Sequence, residues 1–229
     1  RTSGRHVSVK VVFLGPPGAG KGTQAQRMAK RFAVSHASTG DIFRRAMAQG
    51  LRLGLEVADY LDNGKLVPDE LTSRVVAEMV IESVEDYILD GYPRTIQQAR
   101  DLERMLLERG EALDGVLFFD IPEDAIIERL TGRRICAQCG ANYHIVFMPP
   151  AKSGICDRCG GELRVRSDSS EQAIGKRLAE YREKTLPLVE FYDQKNLLRR
   201  VDATAEPDEV TRRTEILLRD VLMSRQTGT

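Results

Sequence analysis

The sequence has no surplus of either charge: 34 Lys and Arg balance 34 Asp and Glu, so no whole-molecule field draws the chain to nucleic acid or to an anionic membrane. It has no apolar run near the ~20 residues that span a bilayer, and no charged-then-apolar leader opens it. We therefore expect a soluble, cytoplasmic protein that binds neither membrane nor nucleic acid, with residues 1–6 a loose terminus outside the fold. Internal repeats, low-complexity segments and sustained heptads are absent as well. Cysteine is confined to Cys136, Cys139, Cys156 and Cys159 in one short stretch, whereas the disulfide framework of a small secreted protein would staple the whole chain. At 229 residues the chain can bury an ample apolar core without such staples.

What is present is an alternation of strand-like and helix-like patterns. Val9 to Leu14 is a continuous apolar, β-branched run, as expected of a strand buried on both faces. After a glycine-rich turn, Ala25, Met28, Ala29 and Phe32 recur at helical spacing. Further apolar runs at Tyr87 to Leu89, Val116 to Phe119 and Leu197 to Val201 are separated by long helical patterns, with a weaker strand-like segment before Ser38. The alternation predicts an α/β fold, a doubly wound parallel sheet of about five strands. Two stretches fit it poorly. Residues 39–67 hold two short helical patterns, Asp41 to Gln49 and Leu53 to Asn63, with no strand between, and residues 133–168 are rich in Gly, Pro and Cys. Both read as inserted subdomains on a core of residues 1–38, 68–132 and 169–229, rising beside the carboxyl ends of the strands, where ligands bind in such sheets.

Between the first strand and the first helix lies Gly15-Pro16-Pro17-Gly18-Ala19-Gly20-Lys21-Gly22-Thr23, the setting a phosphate-binding P-loop requires. Glycines let successive N–H groups point inward around a phosphate, the helix N-terminus adds partial positive charge, and Lys21 supplies a full one. The alternative is a glycine-rich turn that merely joins strand to helix; spacing, lysine and flanks together favour the cradle over Gly18 to Thr23. Most P-loops place Ser or Thr directly after the lysine, yet here Gly22 intervenes and the hydroxyl comes one position later.

That variant resembles the adenylate kinases among the nucleoside monophosphate kinases. Ser38-Thr39-Gly40-Asp41 with Arg44, Gly64 to Asp69, Leu89 to Thr95 with Gln98, Arg129, Gly132-Arg133-Arg134, Arg166 and Arg177 are all similar to motifs of that family, and they run from about Val9 to Val221. The resemblance implies a P-loop NTPase fold, a monomer, and reversible phosphoryl transfer from magnesium-bound ATP to AMP, giving two ADP. It implies that Lys21, Arg94, Arg129, Arg133, Arg166 and Arg177 stabilise the transferring group. It places AMP against Thr39, Arg44, Lys65, Leu66, Val67, Gly91, Arg94, Gln98, Arg166 and Arg177, and the ATP base near Arg129, Arg133, Asn142, Tyr143 and Ala205, with His144 adjacent. Such a site makes chemical sense. An AMP phosphate oxygen is already ionised and needs no general base, while arginine forks bind phosphate bidentately. Asp90 ends an apolar run and is assigned to the magnesium shell; Asp120 ends a similar run and competes by pattern alone, and family register favours Asp90. Asp41 either assists there or serves as a helix N-terminal acid.

The two Cys-x2-Cys pairs are separated by 16 residues, within the spacing of a structural zinc site closed by four thiolates. Two disulfides are the alternative, disfavoured in a reducing compartment. The family's longer forms carry such a metal knot in a lid over the active site, and this chain resembles that type. Where the family often shows Arg-x-Asp-Asp after the lid, Arg166 and Asp168 are followed by Ser169. Two rival readings remain: a kinase on the same scaffold acting on UMP, CMP or GMP, and a P-loop ATPase whose zinc ribbon binds nucleic acid. Thr39, Gln98 and the long lid speak against the first, and balanced charge in the insertion against the second.

Overall fold

In the computed structural model, which describes residues 9–81, 85–165 and 169–224, the chain alternates strand and helix around one parallel sheet. From the amino end come β1 (Lys10–Leu14), α1 (Lys21–Phe32) and β2 (Ser35–Ser38). A helical pair, α2 (Thr39–Ala48) and α3 (Arg52–Asp62), leads to α4 (Asp69–Val76), which a π-helical turn extends to Ile81. Then follow β3 (Tyr87–Asp90), α5 (Ile96–Glu108), β4 (Gly115–Asp120) and α6 (Glu123–Thr131). Three short strands, β5 (Arg133–Cys136), β6 (Asn142–His144) and β7 (Leu163–Arg164), precede α7 (Glu171–Glu180), α8 (Pro187–Asp193), β8 (Leu198–Asp202) and α9 (Pro207–Ser224). Arg166 and Asp168, singled out from the sequence, lie outside the described residues, as do residues 1–6.

The central sheet has five strands in the order β2-β3-β1-β4-β8, all parallel, as the alternation predicts. Strand β1 explains why such a run contains no polar alternation. Val11 and Phe13 face a core shared with Ala25 and Met28 of α1 and Leu218 of α9. Val12 and Leu14 face the opposite core, shared with Leu102 and Leu106 of α5 and Leu188 of α8. Helices therefore cover both faces, and each fully buried aliphatic side chain stabilises the layer by about 1.5–3 kcal/mol. Edge strand β2, Ser-His-Ala-Ser, is only half buried, which is why its hydrophobic signal is weak.

The sheet order reverses around β1, so the loops leaving β1 and β3 open into a crevice at the carboxyl edge. Two small bodies flank it. Helices α2 and α3 pack so closely that a Cβ on Gly54 would meet the backbone of Ala46 at 2.4 Å, and Phe43, Val57 and Val67 form a separate cluster with Val75 of α4. Strands β6-β5-β7 make a second, antiparallel sheet that was not foreseen, around a minimal core of Cys136, Ala141, Tyr143, Cys156 and Leu163. Among the described residues no helix is long and apolar enough to cross a membrane.

Candidate active site

The loop from β1 reaches α1 at Gly20, whose left-handed backbone (φ 88°) suits glycine and places no capping side chain over the helix N-terminus. No acidic residue occupies the first turn of α1 either. Helix α2 by contrast is capped by Ser38 and α5 by Thr95. The uncapped N–H groups of α1 thus remain available to an anion. Lys21 folds back over the loop and donates from Nζ to the carbonyls of Gly15 (2.7 Å) and Pro16 (2.8 Å). Withdrawal from water depresses its ammonium most; Asp90 holds it up, and Arg94, Arg177 and Arg133 push it down further, to about 7.

Gly22, the departure from the usual P-loop, has a steric reason. A Cβ there would lie 3.1 Å from Oδ2 of Asp90, so a serine or threonine would crowd the carboxylate at the end of β3. His36 of β2 approaches the same oxygen at 3.4 Å. Burial works to raise the Asp90 carboxyl, but the His36 contact and the Lys21 charge outweigh it and hold Asp90 below its ordinary value. Asp120, the competitor by pattern, is exposed and pairs with Arg200 at 3.5 Å, away from the cleft. Asp41 pairs with Arg44.

A cleft of about 270 Å³ runs over the loop and is lined by Gly18, Ala19, Gly20, Lys21, Gly22, Thr23, Asp90 and Gly91, with Arg44, Arg94, Arg129, Arg133 and Arg177 around it. Lys65, Leu66, Asn142, Tyr143, His144 and Ala205 complete its walls. A smaller cavity shares Lys65, Leu66, Gly91 and Arg94 with the cleft and adds Thr39, Val67 and Gln98. The structure thus brings together all of the candidate nucleotide-site residues that it describes.

Several of these side chains are already positioned. Arg94 donates from Nε to the Gly91 carbonyl (2.9 Å), which also accepts from Thr39 Oγ1 (2.9 Å). Arg133 donates to Asn142 Oδ1 (3.0 Å), and Arg129 donates to the carbonyls of Thr204 and Ala205 while lying over the Phe147 ring. Tyr143 differs from expectation: it is 7% exposed and its hydroxyl turns into the lid, accepting from Asp157 N (2.7 Å) and facing Cys156 Sγ at 3.4 Å. Its polar atom therefore belongs to the cysteine cluster, and only the rest of the residue can border a nucleotide. Ser169, standing where the family often has an acid, is buried, and its hydroxyl has no partner among the described residues.

The four cysteines converge at the tip of the small sheet, with all sulfurs within 4.8 Å of one another. Cys136 and Cys159 stand 3.5 Å apart, as do Cys139 and Cys156. Bonded sulfurs lie at ~2.05 Å. Corners of a tetrahedron built on ~2.3 Å metal–sulfur bonds are just under ~4 Å apart, so this donor set could hold one thiophilic ion.

The sequence profile of adenylate kinase matches residues 13–197. The adenylate kinase of Carboxydothermus hydrogenoformans is 47% identical over 204 residues, covering 88% of this chain and 95% of that protein. Those of Clostridium perfringens (47% over 204 residues) and Moorella thermoacetica (48% over 198 residues) are similarly close. The chain belongs to the adenylate kinase family. The match to the adenylate kinase profile takes in the loop, both flanking bodies and every described arginine of the cleft. His36 was not singled out from sequence; no local pattern marks it, because its contact with Asp90 spans 54 positions.

The charge balance in the cleft is testable. Asp90 is the group that keeps the Lys21 ammonium from falling further, so Asp90→Asn should move its titration below about 7. NMR titration of labelled lysine Cε measures this; an unchanged midpoint would contradict the coupling.

Proposed function

We propose that this chain transfers the terminal phosphoryl group of magnesium-bound ATP to AMP, reversibly, giving two ADP. The observation that carries this reading is the meeting of two cavities at Arg94, Gly91 and Lys65: one of about 270 Å³ over the phosphate loop, and one of about 30 Å³ against Thr39 and Gln98, which would have to widen to admit a base. Two nucleotides bound there end to end would bring their phosphates together among Lys21, Arg94, Arg133 and Arg177. Catalysis is then alignment plus charge stabilisation, since the attacking AMP oxygen is already ionised.

In this account Gly18 to Thr23 cradle the donor phosphates with their N–H groups, and Lys21 exchanges the carbonyls of Gly15 and Pro16 for phosphate oxygens. Arg44 and Arg94 hold the acceptor phosphate, while Thr39, the Lys65 to Val67 backbone and Gln98 border its base. Arg129, Arg133 and Arg177, with Arg166 from the lid's edge, surround the transferring group, and Asn142, Tyr143 and Ala205 border the ATP base. Asp90 would hold the water shell of magnesium bound with ATP, which would supply positive charge against the charge developing on the phosphates. Cys136, Cys139, Cys156 and Cys159 would hold one zinc ion, whose four protein ligands leave no open position for chemistry. Four unbridged cysteines available as thiolate ligands suit a reducing compartment, which supports a cytoplasmic site of action, and one chain supplying the described site supports a monomer.

A coupled assay with ATP, magnesium and a panel of AMP, UMP, CMP and GMP tests the substrate assignment. AMP should be turned over fastest; faster turnover of UMP or CMP would refute it. Zinc has its own test. The lid's five-residue core is too small to order it unaided, so chelation should lower thermal stability and raise the KM for ATP, while the circular dichroism of the main sheet stays native. Elemental analysis should give one zinc per chain. Absence of metal in protein prepared under reducing conditions, or a stable and fully active Cys136→Ser/Cys156→Ser double variant, would overturn the structural-zinc reading.

A further inference from the structure

We propose that Asp69, which lines neither cavity, fixes the orientation of the Gln98 amide and thereby makes the small cavity select a 6-aminopurine. This deepens the reading of that cavity as the acceptor-base pocket and rests on it. Asp69 is the first residue of α4, directly after the Lys65 to Val67 segment that borders the cavity. An acid at that place ordinarily serves its own helix N-terminus. Here both of its oxygens take donors from the start of α5 instead. Oδ1 accepts from Gln98 Nε2 at 2.8 Å and Oδ2 accepts from Thr95 Oγ1 at 2.7 Å.

The chemistry of the partners decides which way the amide points. The Arg94 backbone N–H, 2.8 Å from the Gln98 amide, can only donate and so faces Oε1. The Asp69 carboxylate only accepts, and so faces Nε2. The two partners demand the same orientation. Thr95 is committed too: its oxygen accepts from Gln98 N at 3.1 Å as the cap of α5, leaving its proton for Asp69. Gln98 itself is 2% exposed and borders the cavity. With those two bonds made, a primary amide keeps one N–H and one oxygen lone pair. Adenine offers a matching pair, an amino donor beside a ring-nitrogen acceptor. In IMP a carbonyl replaces that amino group, so the fixed Gln98 oxygen would meet an acceptor. Without Asp69 only the Arg94 N–H still holds the amide, so turning it over to present N–H to that carbonyl forfeits one hydrogen bond where it had forfeited two.

Asp69 is thus a positioning residue acting through Gln98. Its removal should change base choice and the acceptor KM and leave the donor side alone. Wild type, Asp69→Ala, Asp69→Asn, Gln98→Ala and the Asp69→Ala/Gln98→Ala double variant would be assayed with ATP against AMP and IMP. For Asp69→Ala we expect the KM for AMP to rise about tenfold, the AMP-over-IMP preference in kcat/KM to fall about tenfold, and the KM for ATP to stay within about twofold. Asp69→Asn keeps one oxygen for Gln98 Nε2 and should recover part of the preference. In the Gln98→Ala background the second substitution should change the preference no further. The AMP-to-IMP ratio is taken on one preparation and does not depend on the folded fraction. An unchanged ratio in Asp69→Ala beside a reduced one in Gln98→Ala would overturn the role of Asp69. So would an equal rise in both KM values, or an undiminished effect in the Gln98→Ala background. Unchanged AMP kinetics in Gln98→Ala would overturn the pocket assignment itself.

Discussion

Repulsion among like charges is the constraint around which the cleft is built. Arg94, Arg133 and Arg177 lie close enough to depress the Lys21 ammonium, and burial depresses it more. A site for several phosphates must hold such groups together before the polyanion arrives. Neutral oxygens are among the partners of several of these cations: Lys21 rests on the carbonyls of Gly15 and Pro16, Arg94 on that of Gly91, Arg129 on those of Thr204 and Ala205, and Arg133 on Asn142. Asp90 supplies the buried negative charge that Lys21 feels, and Gly22 leaves room for it. These carbonyl and amide oxygens can be exchanged for phosphate oxygens or remain beside them.

The site draws on the sheet and on both flanking bodies. The loop and Asp90 leave adjacent strands β1 and β3, buried on both faces, so their separation is set by the sheet ladder. Arg44 and Lys65 belong to the α2–α3 body, whose cluster reaches into α4 through Val75, and Arg133 and Asn142 to the small cysteine sheet, which has a minimal core of its own.

Much of this was legible in the sequence because the determining contacts are local. The continuous runs of β1, β3 and β4 signal burial on both faces, and the glycine spacing of the loop is a property of the backbone itself. Edge strand β2 was faint because it runs only four residues, exposed or half-buried, with Ala37 alone of them packed against the core. The antiparallel lid sheet escaped notice since its strands run only two to four residues and its core is mostly sulfur and one tyrosine. Tyr143 could be matched to a nucleotide site by register, but only the fold reveals that its hydroxyl turns to Cys156. Asp69 was legible only as the end of a family-like motif, and His36 not at all, for the same reason: their partners lie tens of positions away, and nothing in periodicity encodes a contact of that kind.

If the cleft is a cationic cradle that a polyphosphate completes, nucleotide binding must be linked to a proton at Lys21. Lys21, with its ammonium depressed to about 7, is largely neutral at pH 8 in the free protein, and phosphate charge beside it should restore the proton. Titration calorimetry with a non-hydrolysable ATP analogue and magnesium, in buffers of different ionisation enthalpy, reads that proton. Uptake is expected at pH 8, little at pH 6 where the ammonium is already formed, and none attributable to this site in Lys21→Met. Binding with no proton uptake at pH 8, or the same uptake in Lys21→Met, would contradict the cradle.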